Sequence, residues 1–392
     1  MKCTCKYCQD IDYDNSIFVV DPSHLQRERP IGVTGLLRVK NDAEFLALCI
    51  DSCIDALDEL IIVYQECTDN SPEIIEQKRK QYPEKIKSYY YRPRVLSHRL
   101  SDEEFAYASA LPSDSIHLLC NYYNYTLSKA SFRYALKIDA DQIYFSDKLR
   151  EVCDAYRSQG RKKITLTERI AGIGLYLFAN LVNVFPRLLS SRLRFFVPSE
   201  KSVKAYQRYA LKKIVNKKCP ISFSGINLLY DHAQWQLPLG NYPEGLFPPF
   251  NGIHDHLIFQ IGPDTYYEPA PMHSSHTKYG NSIIEKFSKD RQLMFYKSIF
   301  KPELLYGGFL WYHVAPLKQD IYPAKLPGYK DHMIPLFESR IPYAGIEEKI
   351  TSPLRRWMRG WYCVFWSAEQ QKLSTQYLSS IDRIIHSYSN GE

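Results

Sequence analysis

The sequence predicts an α/β protein built on a mostly parallel sheet with helices on both faces. Three observations carry this. Short apolar runs alternate with helix-period segments from Ile31 to Asp139. Each apolar run ends in turn or helix-capping residues. The composition, 45% hydrophobic and 24% charged over 392 residues, is that of a globular chain. It excludes a disordered, collagen-like or coiled-coil protein.

Residues 1–30 read as a polar lead-in. Gly32 to Val39 is a β-leaning apolar run. Asn41 and Asp42 then cap a helix whose apolar positions are Phe45, Leu46, Leu48, Cys49, Ile50 and Ile54. Leu60 to Val63 is a buried-strand run, Thr68 to Ser71 a polar turn, and Pro72 suits the first turn of the next helix. Lys85 to Tyr91 is a third strand, Ile116 to Ser131 a helix, and Tyr134 to Ile138 a strand ending at Asp139. A βαβαβ…αβ series implies parallel strands joined by crossover helices, and ligands of such sheets sit at the strands' carboxyl ends.

Beyond residue 150 the pattern loosens. Residues 165–220 read as amphipathic helix, 221–280 as rich in proline, glycine and turns, and 281–392 as helices mixed with aromatic loops. The expected organisation is one domain over 31–280, in halves 31–150 and 151–280, followed by a C-terminal helical and aromatic extension over 281–392.

Fifty Lys and Arg against 43 Asp and Glu give a net charge of +7 and a pI of about 8.7. This mild excess suits an anionic small ligand or an acidic membrane surface. The basic residues are dispersed and form no recognised module, which argues against nucleic acid. The 31 tyrosines are mostly core material. No signal-peptide pattern opens the chain, so the expected setting is a reducing cytosol. Most of the ten cysteines then read as small core residues. Cys3-x-Cys5-x-x-Cys8 can bind a metal, but it lacks a second Cys or His pair at zinc-site spacing.

No apolar stretch is long enough to span a bilayer. Ile170 to Phe185 comes nearest, with Arg187, Arg192, Arg194, Lys201, Lys204 and Arg208 after it. Leu354 to Trp366, LRRWMRGWYCVFW, mixes tryptophan with arginine. Both fit an interfacial membrane contact. Both equally fit a buried helix with a basic rim.

The sharpest local feature is Lys137-Ile138-Asp139-Ala140-Asp141-Gln142-Ile143-Tyr144. Two carboxylates follow an apolar strand, where a turn can aim both at one point. Hard cations such as Mg²⁺ or Mn²⁺ take oxygen ligands and share them with phosphates.

With these elements in place, the first part of the chain resembles the GT-A nucleotide-sugar glycosyltransferases, particularly the family 2 type of bacterial surface-polysaccharide synthesis. Arg38 to Phe45 occupies the place of that family's first strand and Asn-Glu-like helix start. Val63 to Ser71, with Tyr64, Glu66 and Asp69, resembles its acidic second-strand turn, and Asn124 precedes the DxD strand. The resemblance implies a GT-A-like, Rossmann-type fold. It implies transfer of a hexose from a nucleoside-diphosphate sugar, UDP by default; galactose is taken as the sugar without support from the family. Asp139 and Asp141 would hold Mn²⁺ or Mg²⁺ on the diphosphate. Arg38, Asn41, Tyr64, Glu66, Asp69 and Asn124 would line the nucleotide side. The family's usual Asp at the second-strand end is replaced by Tyr64 and Gln65.

Inverting enzymes of this fold need a base for the acceptor hydroxyl. The family's acidic motif before a helix is similar to Asn251 to Phe259, which makes Asp255 the candidate base and Asp231 the second. A late-loop His that completes the metal shell would be His273 or His276, with Lys278 on the diphosphate. The implied acceptor is a saccharide or lipid-linked saccharide of lipopolysaccharide, O-antigen or capsule, at the cytoplasmic face of the plasma membrane. Two other classes are compatible with the residues: a metal-dependent phosphoester hydrolase and a non-catalytic membrane-associated scaffold.

Overall fold

The computed structural model describes residues 3–8, 13–184, 198–239, 247–252, 257–272, 280–288, 305–337 and 353–390. The strands in chain order are β1 (Val33–Val39), β2 (Glu59–Tyr64), β3 (Ile86–Tyr90), β4 (Tyr134–Asp139), β5 (Gln142–Tyr144), β6 (Ile221–Asn227), β7 (Leu229–Asp231), β8 (Gln234–Pro238), β9 (Phe250–Asn251), β10 (Leu257–Gln260), β11 (Tyr267–Met272), β12 (Ser282–Phe287), β13 (Leu305–His313) and β14 (Met333–Pro335). The helices are α1 (Ala43–Cys53), α2 (Ser71–Gln81), α3 (Asp102–Ser109), α4 (Leu119–Ser128), α5 (Ser146–Arg157), α6 (Leu166–Val184), α7 (Glu200–Lys217), α8 (Tyr322–Tyr329), α9 (Pro353–Glu369) and α10 (Leu378–Asn390). The chain forms two compact units. The first takes Met1–Ala43, Leu57–Ala140 and Phe259–Leu304; the second takes Glu44–Ala56, Asp141–Ile258 and Leu305–Glu392.

The first unit holds four parallel strands in the order β3-β2-β1-β4. Their apolar runs are continuous because the central strands are covered on both faces. Leu36, Leu37, Leu60, Ile61, Ile62, Val63, Leu136 and Ile138 are all buried. Each such side chain contributes about 1.5–3 kcal/mol. Gly35 leaves room for this packing: a Cβ there would meet Leu57, Ile138 and Leu60 at 2.7–2.9 Å. The antiparallel pair β11–β12 belongs to the same unit. Asn124 on α4 ties to it, donating to the Tyr267 carbonyl at 2.9 Å and accepting from the Tyr267 amide at 2.8 Å.

A buried carboxylate stitches the amino ends of these strands. Glu59 opens β2 at 2% exposure. It accepts from Lys87 Nζ at 2.6 Å, the Ser131 amide at 2.8 Å, the Ser131 hydroxyl at 2.7 Å and the Thr34 hydroxyl at 3.0 Å. Burial opposes its charge, but these four donors outweigh burial and hold its carboxyl below the usual glutamate range.

In the second unit, β13 runs parallel to β6 and antiparallel to β5, while β10 and β9 pair antiparallel with β6. β13 breaks register between Tyr306 and Trp311. Gly308 sits in that break at φ +83°, where a side chain would be strained and would run into Phe365. Helix α9 lays Trp361, Tyr362, Cys363, Val364, Phe365 and Trp366 into the core, each at 1% exposure or less. Phe250 packs on Phe309 at 4.6 Å and on Tyr362 at 4.9 Å between ring centroids.

The α/β class and the strands up to Asp139 are as the sequence predicts. Three expectations change. Residues 221–280 are not only turns: they contain β6 to β11. The segment after residue 280 contains β12 and the buried strand β13 as well as helices. The short Leu257–Gln260 segment is a strand where a helix start was expected. The Trp361–Trp366 half of the tryptophan-arginine stretch is core, so it presents no membrane face. No helix among the described residues is long and apolar enough to cross a membrane.

Glu59→Ala leaves buried donors unpaired and is expected to cost about 1–3 kcal/mol at neutral pH. The folded-state pKa of Glu59 is depressed, so its contribution is present above the ordinary value of 4.5 and is lost as pH falls below it. Urea unfolding of both proteins should show their difference shrinking in that acid range.

Candidate active site

The carboxyl end of the first unit's sheet gathers polar residues because parallel strands all deliver their chains to the same edge. Parallel register sets Arg38 of β1 opposite Asp139 of β4. The Arg38 guanidinium reaches Asp139 Oδ1 at 3.3 Å and lies over the Tyr123 ring at 3.8 Å. Its side chain is 7% exposed and that of Asp139 is 37% exposed. Burial works against the Arg38 charge, yet Tyr123 and Asp139 hold its pKa above the ordinary value. Two residues before Asp139, buried Lys137 pairs with Glu285 at 3.6 Å. The carboxylate of Asp139 therefore sits beside one fixed guanidinium, with one edge toward solvent.

The loops after β1 and β2 are locked to one another. Asn41 adopts φ +55°, a left-handed conformation that asparagine tolerates. Its side-chain oxygen accepts from the Thr68 amide at 2.8 Å. Asp69 accepts from the Ala43 amide at 2.9 Å and the Ser71 amide at 3.0 Å. Burial raises its pKa, but these amide donors prevail and leave it below the usual aspartate range. Tyr64 stacks on Tyr90 at 5.3 Å, the rings 21° apart, and Glu66 is exposed. Asn124 is buried with both ends of its amide on Tyr267. Arg38, Asn41, Tyr64, Glu66 and Asp69 thus follow or end the parallel strands, while Asn124 lies inside α4.

Asp141 belongs to the second unit and has different neighbours. His313, the last residue of β13, places Nε2 at 3.5 Å from Asp141 Oδ1, and Lys318 Nζ stands 3.7 Å from Oδ2. The His313 tautomer follows from its neighbours. Asn227 donates its amide N–H to the Pro248 carbonyl, so its oxygen faces His313 Nδ1. Nδ1 must then carry the proton, and Nε2 is the ring nitrogen that faces the Asp141 carboxylate. A carboxylate and an imidazole are donors of the kind that a divalent transition ion such as Mn²⁺ takes.

Sequence reasoning missed His313, although a nine-residue apolar strand ending in His is a legible signal. Asp255, His273, His276 and Lys278 lie outside the described residues. Asp231, the second base candidate, ends β7 in a tight hairpin with β8, 3.7 Å from exposed His232.

Comparison with known proteins gives one family. Residues 13–170 match the family model for beta-1,4-N-acetylgalactosaminyltransferase (CgtA). That segment is less than half the chain and contains β1 to β5 and the Asp139-Ala140-Asp141 turn. No curated protein matches. Among solved structures, glucosyl-3-phosphoglycerate synthase from Mycobacterium tuberculosis with Mn²⁺, UDP and glucosyl-3-phosphoglycerate is 15% identical. It is matched over 43% of this chain and 57% of its own, at a TM-score of 0.21. TarS of S. aureus is 14% identical over 45% of this chain and 55% of its own, also at 0.21. The chain thus spans little more than half the length of these structures. The family match bears out the resemblance to nucleotide-sugar glycosyltransferases.

Asp69→Ala removes the acceptor for two amides and is expected to cost about 0.5–2 kcal/mol in a urea titration. Unchanged stability would mean that the Asp69 carboxylate does not hold the two loops.

Proposed function

We propose that this protein is a nucleotide-sugar glycosyltransferase that moves a hexose from a UDP-sugar to a saccharide or lipid-linked saccharide hydroxyl, with inversion. The observation that carries this reading is the paired carboxylates Asp139 and Asp141 at the carboxyl end of a parallel strand, within the family-matched segment. The family name makes an N-acetylhexosamine the first donor sugar to try. The implied setting is bacterial surface-glycan synthesis at the cytoplasmic face of the membrane.

Asp139 and Asp141 would hold Mn²⁺ or Mg²⁺, as the resemblance implies, and His313 is a further proposed ligand beside Asp141. Once bound, the ion would neutralise charge developing on the diphosphate leaving group. Arg38 fixes the orientation of Asp139 and lends positive charge to that edge. Lys318 supplies a second cation beside Asp141, where an anionic diphosphate gains from it. Asn227 keeps His313 in the tautomer that presents a lone pair. Tyr64 offers a ring, already stacked on Tyr90, that a base can extend. Asp255 is the proposed base that takes the proton from the acceptor hydroxyl. His273, His276 and Lys278 remain proposals for the ion and the diphosphate.

Helix α6 supports membrane-face contact. Leu166, Ile170, Ile173 and Leu177 are 55–73% exposed along one side, while Leu175 and Ala179 are buried on the other. An apolar stripe flanked in sequence by arginines suits an anionic lipid surface. Ile170→Asp with Ile173→Asp should abolish co-sedimentation with phosphatidylglycerol vesicles while leaving the melting temperature unchanged. Equal sedimentation of both proteins would reject the lipid contact.

The deciding experiment is a thermal-shift screen against UDP, GDP, CMP and dTDP, each with and without Mn²⁺, followed by turnover with the matching sugar donors. UDP is expected to raise the melting temperature only with Mn²⁺. Asp139→Asn should remove that shift and lower turnover by about 10²–10³-fold. His313→Ala should weaken Mn²⁺ binding about 10–100-fold. Absence of any nucleotide shift at millimolar ligand would overturn the transferase reading.

A further inference from the structure

We propose that Cys3, Cys5, Cys8 and His117 form a structural zinc site, separate from the DxD residues. The sequence shows three cysteines without a partner pair; the fold supplies the fourth ligand from a residue 109 positions after Cys8. The three Sγ atoms and a His117 ring nitrogen all lie within 4.8 Å of one another. His117 Nε2 is 3.9 Å from Cys3 Sγ, 3.1 Å from Cys5 Sγ and 3.2 Å from Cys8 Sγ. A tetrahedral zinc with ordinary Zn–S and Zn–N bonds of about 2.3 and 2.0–2.1 Å separates sulfur and nitrogen by about 3.6 Å. The observed distances straddle that value.

The surroundings are built for a ligand set. His117 Nδ1 stands 2.7 Å from the Arg94 carbonyl, which can only accept, so Nδ1 carries the proton. Nε2 therefore presents its lone pair to the sulfurs. His117 is fully buried and Cys8 is 4% exposed. The Cys8 amide donates to the Cys5 carbonyl at 2.8 Å, closing the turn that brings these sulfurs together. Buried Asn15 grips Cys3 by both backbone groups, accepting from its amide at 2.8 Å and donating to its carbonyl at 2.7 Å. The Tyr7 ring packs against His117 at 5.7 Å and against Tyr107 at 5.5 Å.

Three cysteines and one histidine whose donor atoms lie within 4.8 Å of one another match the ligand set of a tetrahedral zinc better than that of the other common metals. All four positions come from the protein, so the site is closed and its role is structural. It pins the start of the chain to the segment that enters α4, the helix whose Tyr123 covers Arg38. The ligands Cys3, Cys5 and Cys8 precede the family-matched segment, which begins at residue 13.

The test is metal analysis of the untagged full chain, purified without chelator. About one zinc per chain is expected in the wild type, retained in Asp139→Asn and lost in Cys8→Ser and His117→Ala. His117→Cys should keep the metal as a four-thiolate site. Cobalt exchanged into the wild type should give thiolate-to-cobalt charge transfer and tetrahedral visible bands, a readout that needs no variant to fold. A metal-free wild type, iron in place of zinc, or a disulfide among Cys3, Cys5 and Cys8 under non-reducing peptide mapping would overturn the site. None of these outcomes depends on nucleotide binding, so they leave the transferase reading to its own screen.

Discussion

The parallel register of β1 against β4 is the constraint on which the candidate site depends. It places Arg38 opposite Asp139. A slip of one residue would turn every side chain of β1 to the other face of the sheet. Arg38 would then lose both the carboxylate and the Tyr123 ring, and a buried guanidinium without partners is costly. The apolar neighbours of Arg38 resist such a slip, since Leu36, Leu37 and Val39 all occupy buried positions. At the other end of the strands, Glu59 ties β2 to Thr34 and Ser131, so the register is held from both ends.

Loop geometry at that edge is settled by hydrogen bonds more than by packing. Asn41 and Asp69 spend their side-chain oxygens on backbone amides of the neighbouring segment. A side chain committed in this way holds a loop still, and that stillness is what a nucleotide-binding edge requires. The same residues are the ones whose types made the edge legible in the sequence. Asn and Asp after an apolar run mark both a turn and a polar site, and the structure shows them serving the turn.

The second unit shows how a His can be prepared at a distance. Pro248 orients Asn227, Asn227 sets the tautomer of His313, and His313 then presents Nε2 to Asp141. His117 is prepared by the same logic, with the Arg94 carbonyl in the orienting role. In both places the ring nitrogen that faces a cluster of donors is decided by the hydrogen bond on the opposite side of the ring.

Local periodicity alone determined the α/β class, the four parallel strands up to Asp139 and the carboxylate pair at their edge, because each of these is written in contiguous residues. Strand β13 lay inside the stretch 281–392 that reads as helices and aromatic loops, where Gly307 and Gly308 interrupt its apolar run at the register break. The aromatic run of α9 could not be told from a membrane face until its rings were seen packed on one another, since burial inside a core and burial in lipid ask for the same side chains. Only the tertiary structure brought His313 to Asp141 and His117 to the three amino-terminal cysteines. Those contacts join residues far apart along the chain, and no spacing rule reaches across that distance.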